Sequence, residues 1–190
     1  NLSLKRPGHP PGDLDAESMD AVAELADRYS FGEVRVTHRQ NLVFTDVEQS
    51  SLYEVWRALD FLGLASPNIG QLTAIISCPG PDYGDLANAR SIPVAADISQ
   101  HFVDVDKLAL VGDLTLNISG CMNACGHHHV GNIGILGVDK RGEEFFQLTL
   151  GGASDEGASL GDRLGRALAQ AEVPAAIEAI VETYLELRAD

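Results

Sequence analysis

Residues 119–134, Ser-Gly-Cys-Met-Asn-Ala-Cys-Gly-His-His-His-Val-Gly-Asn-Ile-Gly, constrain this chain more than any other stretch. They hold two of its three cysteines, three of its six histidines and four glycines. Cys121 and Cys125 stand four apart, a spacing that would stack them on one helical face. Gly120, Gly126 and Gly131 argue instead for a tight loop whose backbone approaches whatever it wraps. Just upstream Leu114, Leu116 and Ile118 alternate, which predicts a strand delivering the loop at its C-terminal end. A second strand is expected over 72–76, ending at Ser77-Cys78-Pro79-Gly80-Pro81, where two prolines and a glycine turn the backbone away right after Cys78. Set parallel, the two strands open both cysteine loops on one sheet edge, a common place for a ligand in α/β layers.

Thiolates are soft ligands suited to iron–sulfur clusters, Cu(I) or zinc. A disulfide between two cysteines so close in a short loop would be strained, and three cysteines in a chain of 190 residues do not make a disulfide scaffold. Spacing alone leaves two readings open: a metal or cluster site, or a pair of inert buried thiols. A zinc site is a further alternative, formed by Cys121, Cys125 and one of His127, His128 or His129. It would need Cys78 to join through space, and C-x-x-x-C is looser than the usual zinc knuckle. The three histidines read more naturally as structural hydrogen-bonding groups than as ligands.

Composition narrows the classes. With 45% hydrophobic residues the chain has enough for a real core. No run of about 18 apolar residues is present and the first residues lack the apolar stretch of a signal peptide, so a cytoplasmic protein with reduced thiols is expected, without membrane association. The balance of 28 acidic to 13 basic residues, formally −15, repels nucleic acid and anionic lipid. Acidic pairs such as Asp104/Asp106, Glu143/Glu144 and Asp155/Glu156 fall in predicted turns and on solvated faces, a poor setting for general acids.

The remaining segments supply the scaffold. Asn1 to Leu14, with three prolines, reads as an extended arm or linker. A helix is expected over 15–29, capped by Asp15 or Ser18. Val34 and Val36, then Leu42 to Phe44, read as strand segments flanking the polar cluster His38-Arg39-Gln40-Asn41. Ser51 and Glu54 have the spacing of a capping box. The stripe Leu52, Val55, Trp56, Leu59 and Leu62 follows, with Trp56 expected in the core and Gly63 ending the helix. Ser66 to Gly70 is the best internal boundary. Helices are expected over 85–102, kinked at Pro93, over 162–170, and from Pro174, with Ile177, Ile180, Val181, Tyr184 and Leu185 as its apolar stripe. Residues 132–138 and 143–150 read as a hairpin joined through 139–142.

Three passages are together recognisable: Ile118-Ser-Gly-Cys121-Met-Asn-Ala-Cys125-Gly-His-His-His, Cys78-Pro-Gly-Pro-Asp-Tyr, and Gly32-Glu-Val-Arg-Val-Thr-His-Arg-Gln-Asn41. With Ala-Asn-Ala-Arg90-Ser-Ile-Pro93 they resemble the siroheme-dependent sulfite and nitrite reductases, and the chain looks like the C-terminal half of that haemoprotein. The resemblance implies an α+β fold: a small ferredoxin-like half-repeat with its N-terminal arm over 1–66, then an α/β domain binding siroheme and a cluster over 67–190. It also implies reduction of sulfite to sulfide, or of nitrite to ammonia, with electrons from a flavoprotein or a ferredoxin. In such enzymes four cysteines, in the pattern C-x5-C and C-x3-C, hold a 4Fe-4S cluster, and the last also ligates the siroheme iron. Cys78, Cys121 and Cys125 match three of them, with Cys125 at the bridge. Arg39 matches a charge partner of the tetrapyrrole carboxylates, Gln40 and Asn41 match hydrogen-bonding positions, and Asn123 matches a residue shaping the loop against the macrocycle. Two departures stand out. The remaining cysteine position is Gly84, and the family's other half, with most substrate-gripping basic residues, is a partner this chain does not supply. Without those cofactors the fold alone would be a non-catalytic fragment.

Overall fold

The computed structural model describes residues 1–188; the last two residues of the expected second unit lie outside that range. The chain builds two hydrophobic cores. The first gathers Leu2, Leu4, Val22, Val55, Leu59 and Leu64 under helix α1 (Ala16–Tyr29), the antiparallel pair β1 (Val34–Val36) and β2 (Leu42–Phe44), and helix α2 (Leu52–Phe61). Asp15 caps α1 by accepting the Ser18 N–H at 2.8 Å. Gly63, at φ +68°, ends α2: its N–H reaches the Asp60 carbonyl and the Leu64 N–H reaches that of Leu59, the paired bonds of a Schellman close.

Three expectations for this unit are corrected. The N-terminal arm is no linker. Leu2 pairs with Leu42 through two backbone hydrogen bonds, and Leu2 to Lys5 are buried, because alternating Leu2 and Leu4 fill the first core despite the prolines that follow. Trp56 is 49% exposed and stacks on exposed Tyr53 at 5.7 Å. Val55 and Leu59, one turn apart, take the inward face, and Trp56 is rotated about 100° from Val55 on a helix that covers the core on one side only. Ser51 makes no capping bond. It lies in a 3-10 turn running into α2, and Glu54 instead accepts from the Tyr29 hydroxyl.

The second core surrounds a five-stranded sheet in the order β3-β4-β5-β6-β7. Strand β3 is only Ile76–Ser77, since Leu72 is buried in a turn and Ile75 in the irregular backbone just after it, not in a longer strand. It is followed by α3 (Ser91–His101) and α4 (Val105–Val111), which return the chain to β4 (Leu116–Ser119), parallel to β3. The expected helix over 85–102 begins only at Ser91, which puts Pro93 in its first turn, where a missing N–H costs nothing. Helix α4 went unpredicted; Asp104 caps it, accepting from the Asp106 and Lys107 N–H groups. Strands β5 (Ile133–Lys140) and β6 (Glu143–Leu150) form the expected hairpin with a tighter turn, Arg141-Gly142, both at positive φ. Residues 162–168, expected to be helical, form β7 against β6. The Leu160, Leu164, Leu168 spacing mimics a helix, but β6 offers an unpaired edge, and Gln147 reaches across it to the Leu164 and Gly165 carbonyls. Helix α5 (Val173–Leu187) closes the layer with Ile177 and Val181 fully buried. Among the described residues no helix is long and apolar enough to cross a membrane.

Candidate functional site

The two cysteine loops leave the sheet side by side. Ile76 and Ser77 of β3 face Asn117 and Ile118 of β4 in parallel register, and the Cys78 N–H extends the ladder by one bond to the Ile118 carbonyl at 3.1 Å. Strand β5 lies parallel to β4 on its other side, with Ile133 beside Leu116. Residues 120–132 are therefore a crossover that must travel back along the strand, and they do so without an α-helix, with only a 3-10 turn at His128–Val130. This explains a loop that is long yet folded on itself.

Glycine makes the two loops interlock. The Gly120 N–H donates to the Cys78 Sγ at 3.0 Å, and the Gly120 carbonyl accepts from Asn88 and Ala89 at 2.9 and 3.0 Å. A Cβ on Gly120 would stand 2.7 Å from the Ala89 carbonyl oxygen and 2.9 Å from the Gly80 Cα, so only glycine permits the approach. The buried Ser91 hydroxyl donates to the Cys78 carbonyl, with its oxygen 3.7 Å from the Cys78 sulfur. Farther along, a Cβ on Gly126 would run into the Ile118 carbonyl. Its N–H donates to the Ser119 hydroxyl, and Asn117 Nδ2 donates to the Gly126 and His127 carbonyls. Between these fixed points Cys121 to Cys125 form a turn closed by the Ala124 N–H on the Cys121 carbonyl, with Ala124 and His127 in the left-handed region.

Cys78 and Cys121 are buried, and Cys125 is exposed beside exposed Met122 and Asn123. In ligand type and in their placement at one sheet edge the three thiols fit an iron–sulfur group. In number they fall one short of a four-iron cluster, and among the described residues no three Cys, His, Asp or Glu side chains stand together as a metal-binding group. A groove of about 950 Å³ between β6, β7 and α5, lined by Leu148, Leu164, Ile180 and Tyr184, includes no residue of the cysteine turns.

The polar turn after β1 is fastened to the same edge. Gln40, at φ +56°, donates from Nε2 to the Ser77 carbonyl at 2.7 Å, and its Oε1 accepts from the Ser77 N–H at 3.1 Å and from Lys5 Nζ at 2.9 Å. Asn41 is buried, with Oδ1 accepting the Leu4 N–H. The side chains expected to hydrogen-bond a tetrapyrrole are thus occupied in holding the arm and the β3 end together. Arg39 is exposed.

Two basic side chains are deeply buried, Lys5 and His128, and of these the sequence marks only the histidine. Lys5 is 3% exposed, and burial holds its ammonium down to about 7. Its only trace in the sequence is the alternation Leu2, Leu4, which predicts a partly buried arm if taken as a strand. His128 is 2% exposed, with its ring 3.9 Å from that of His129; burial first, and His129 second, push its pKa down to about 4. Neither its Nδ1 nor the buried Thr149 Oγ1 finds a partner among the described residues, so this histidine is not the hydrogen-bonding anchor expected from the sequence.

Residues 6–62 match the nitrite/sulfite reductase ferredoxin-like half domain, and residues 74–190 match the nitrite and sulphite reductase 4Fe-4S domain. A ferredoxin–nitrite reductase of Synechococcus elongatus is 32% identical over 170 residues, which are 87% of this chain and 33% of that protein. A sulfite reductase [ferredoxin] of Mycolicibacterium paratuberculosis is 28% identical over 189 residues, 94% of this chain and 34% of that one. The structure of the Mycobacterium tuberculosis NirA protein superposes with a TM-score of 0.74 at 27% identity, covering 90% of this chain and 33% of that chain. A dissimilatory sulfite reductase shares the fold, with a TM-score of 0.78 at 14% identity. The chain spans about a third of the length of the curated relatives it matches.

Proposed function

This chain belongs to the nitrite and sulphite reductase family, and on that premise we propose that it is the C-terminal portion of a reductase taking sulfite to sulfide or nitrite to ammonia. One observation carries the reading. Within the residues matched by the 4Fe-4S domain, two parallel strands deliver Cys78 and the Cys121/Cys125 turn to one sheet edge, joined by the Gly120 bond to the Cys78 sulfur. When bound, a 4Fe-4S cluster coupled to siroheme supplies electrons one at a time to a substrate that needs six. Cys78, Cys121 and Cys125 would be the thiolate ligands, and the exposure of Cys125 supports the reading that it would be the one shared with siroheme.

Arg39, exposed on its turn, pairs with a carboxylate of the tetrapyrrole. Gln40 and Asn41 act one step back, fixing the arm to the strand end that carries Cys78. Exposed Asn123 contacts the macrocycle. Residues 1–66 are the half-repeat with its arm, and 67–190 are the cofactor-binding unit. The other half of the catalytic unit supplies the basic residues that hold the anionic substrate, since an excess of acid in this chain is unsuited to that task. A ferredoxin or flavoprotein delivers the electrons, in the cytoplasm.

The absorbance spectrum of the purified protein, with iron and acid-labile sulfide assays, tests this. Visible siroheme bands together with iron and sulfide are the expected result. A colourless protein without iron overturns cofactor binding and leaves a non-catalytic fragment, and zinc alone turns the site into a structural one.

A further inference from the structure

The N-terminal arm touches both cores. Leu2 pairs with Leu42 and the Leu4 N–H donates to Asn41 Oδ1, both in the first unit, while the Gly8 N–H donates at 3.0 Å to the Ser99 hydroxyl on α3 of the second. Residues 2–8 therefore lie across the joint between the units as a strap. The joint itself is closed by two hydrogen bonds between Gln40 and Ser77, and the same Gln40 Oε1 accepts from Lys5 Nζ. Asn68 completes the seat, accepting from the Ser3 hydroxyl at 2.6 Å and donating to the Lys5 carbonyl at 2.9 Å.

This seat gives Lys5 no opposite charge. Among the described residues it belongs to no ion pair, and burial is the only cause that displaces its pKa. The side chains that hold this part of the strap, Gln40, Asn41 and Asn68, are uncharged. The titratable groups nearby are engaged with one another or solvated: Arg6 pairs with Asp15 at 3.9 Å, and His9, Asp13, His38 and Arg39 are exposed. On α3, Asp97 bonds to Gln170 and His101 to Glu178; Cys78, next to Ser77, is buried against the Gly120 N–H. A neutral amine keeps its bond to Gln40 here at little cost, whereas an ammonium loses its water and gains only a carboxamide oxygen. Lifting the strap returns that charge to water while both cores stay folded.

We propose that residues 2–8 are a proton-gated strap: with Lys5 neutral the strap lies closed across the joint, and protonation of Lys5 releases it, freeing Gly8 from α3 and leaving Gln40 to hold Ser77 without it. The gate goes beyond the iron–sulfur reading and does not depend on it. The seated Lys5 has a pKa of about 7 against an ordinary 10.5, so across that window the lifted strap binds the proton that the seated one refuses. The ratio of lifted to seated strap therefore falls about tenfold for each pH unit from 7 up to 10.5, and is level below 7.

Hydrogen exchange of the full chain, resolved by peptide at about pH 7 and about pH 9 and corrected for the intrinsic rate of each amide, tests this. At the lower pH the Leu2, Leu4 and Gly8 amides should open more readily than those of the β5–β6 hairpin, and they should gain about a hundredfold in protection at the higher. Lys5→Met should be equally protected at both, and Lys5→Arg, charged at both, should stay open at both. Strap protection that does not change in the parent overturns the gate, as does a Lys5→Met variant that changes as the parent does. Strap and hairpin amides sharing one opening rate at both pH values would mean that residues 2–8 do not lift by themselves, and would overturn it too.

Discussion

The Gly120 N–H lies 3.0 Å from the Cys78 sulfur, forty-two residues upstream, and this contact ties two loops that leave different strands. The bond fixes the position of the Cys78 sulfur as well as joining the loops.

Gly120→Ala should therefore damage the site from within the fold. The new methyl would press on the Ala89 carbonyl oxygen and the Gly80 Cα, both backbone atoms that do not swing aside. Overpacking of this kind costs about 1–3 kcal/mol. Urea denaturation should show that loss, and iron uptake should fall with it; an unchanged midpoint would mean the loops are not held as described.

Lys5 makes stability depend on pH in the alkaline direction. Its folded pKa, about 7, lies below the ordinary lysine value of 10.5. Between these values the unfolded chain binds the proton that the folded chain refuses, so stability rises with pH across that window, and below pH 7 the full penalty of a buried charge is carried. Lys5→Met should be more stable than the parent near pH 7, by an amount on the order of a few kcal/mol, and the gap should close towards pH 10.5. Gln40 keeps its bonds to Ser77 in that variant, so the arm still docks. A gap that does not change with pH would contradict the assignment.

His128 acts in the acid range. Its pKa of about 4 lies below the ordinary 6.5, so stability falls on acidification from 6.5 towards 4 and levels off beneath. In proton NMR one of the six imidazoles should titrate near 4; six ordinary titrations would refute this.

The exposure of Trp56 reverses the expected ranking of α2 substitutions. Leu59→Ala should cost about 2–5 kcal/mol, as deletion of a buried leucine does. Trp56→Ala should change stability by about 0.5 kcal/mol or less. Chemical denaturation of the two variants compares them directly.

How far the sequence reveals the structure depends on the range of the interaction that decides each element. Helix α1 and the Gly63 stop were legible because capping and the left-handed close are local events. So was the departure of the chain from β3 after Cys78, where proline and glycine act on their own backbone. Strand β7 was not, because an edge offered by β6 outweighs a helical spacing within 162–168. The arm was misread for the same reason: what buries Leu2 is Leu42, forty residues away. At the site, the cysteines and the turns that carry them were legible, and the interlock at Gly120 was not, since a glycine does not announce which distant carbonyl it makes room for. Gln40 and Asn41 were legible as polar residues of the turn, but their partners Lys5, Ser77 and Leu4 come from other parts of the chain.

Trp56 is the only tryptophan, and it sits half in water on α2, the helix whose Val55 and Leu59 enter the first core. Its emission is consequently a private signal of residues on that side of the molecule: melting followed by tryptophan fluorescence watches the half-domain, while far-ultraviolet dichroism watches both cores. Any separation between the two curves measures how strongly Gln40 and the arm couple one core to the other.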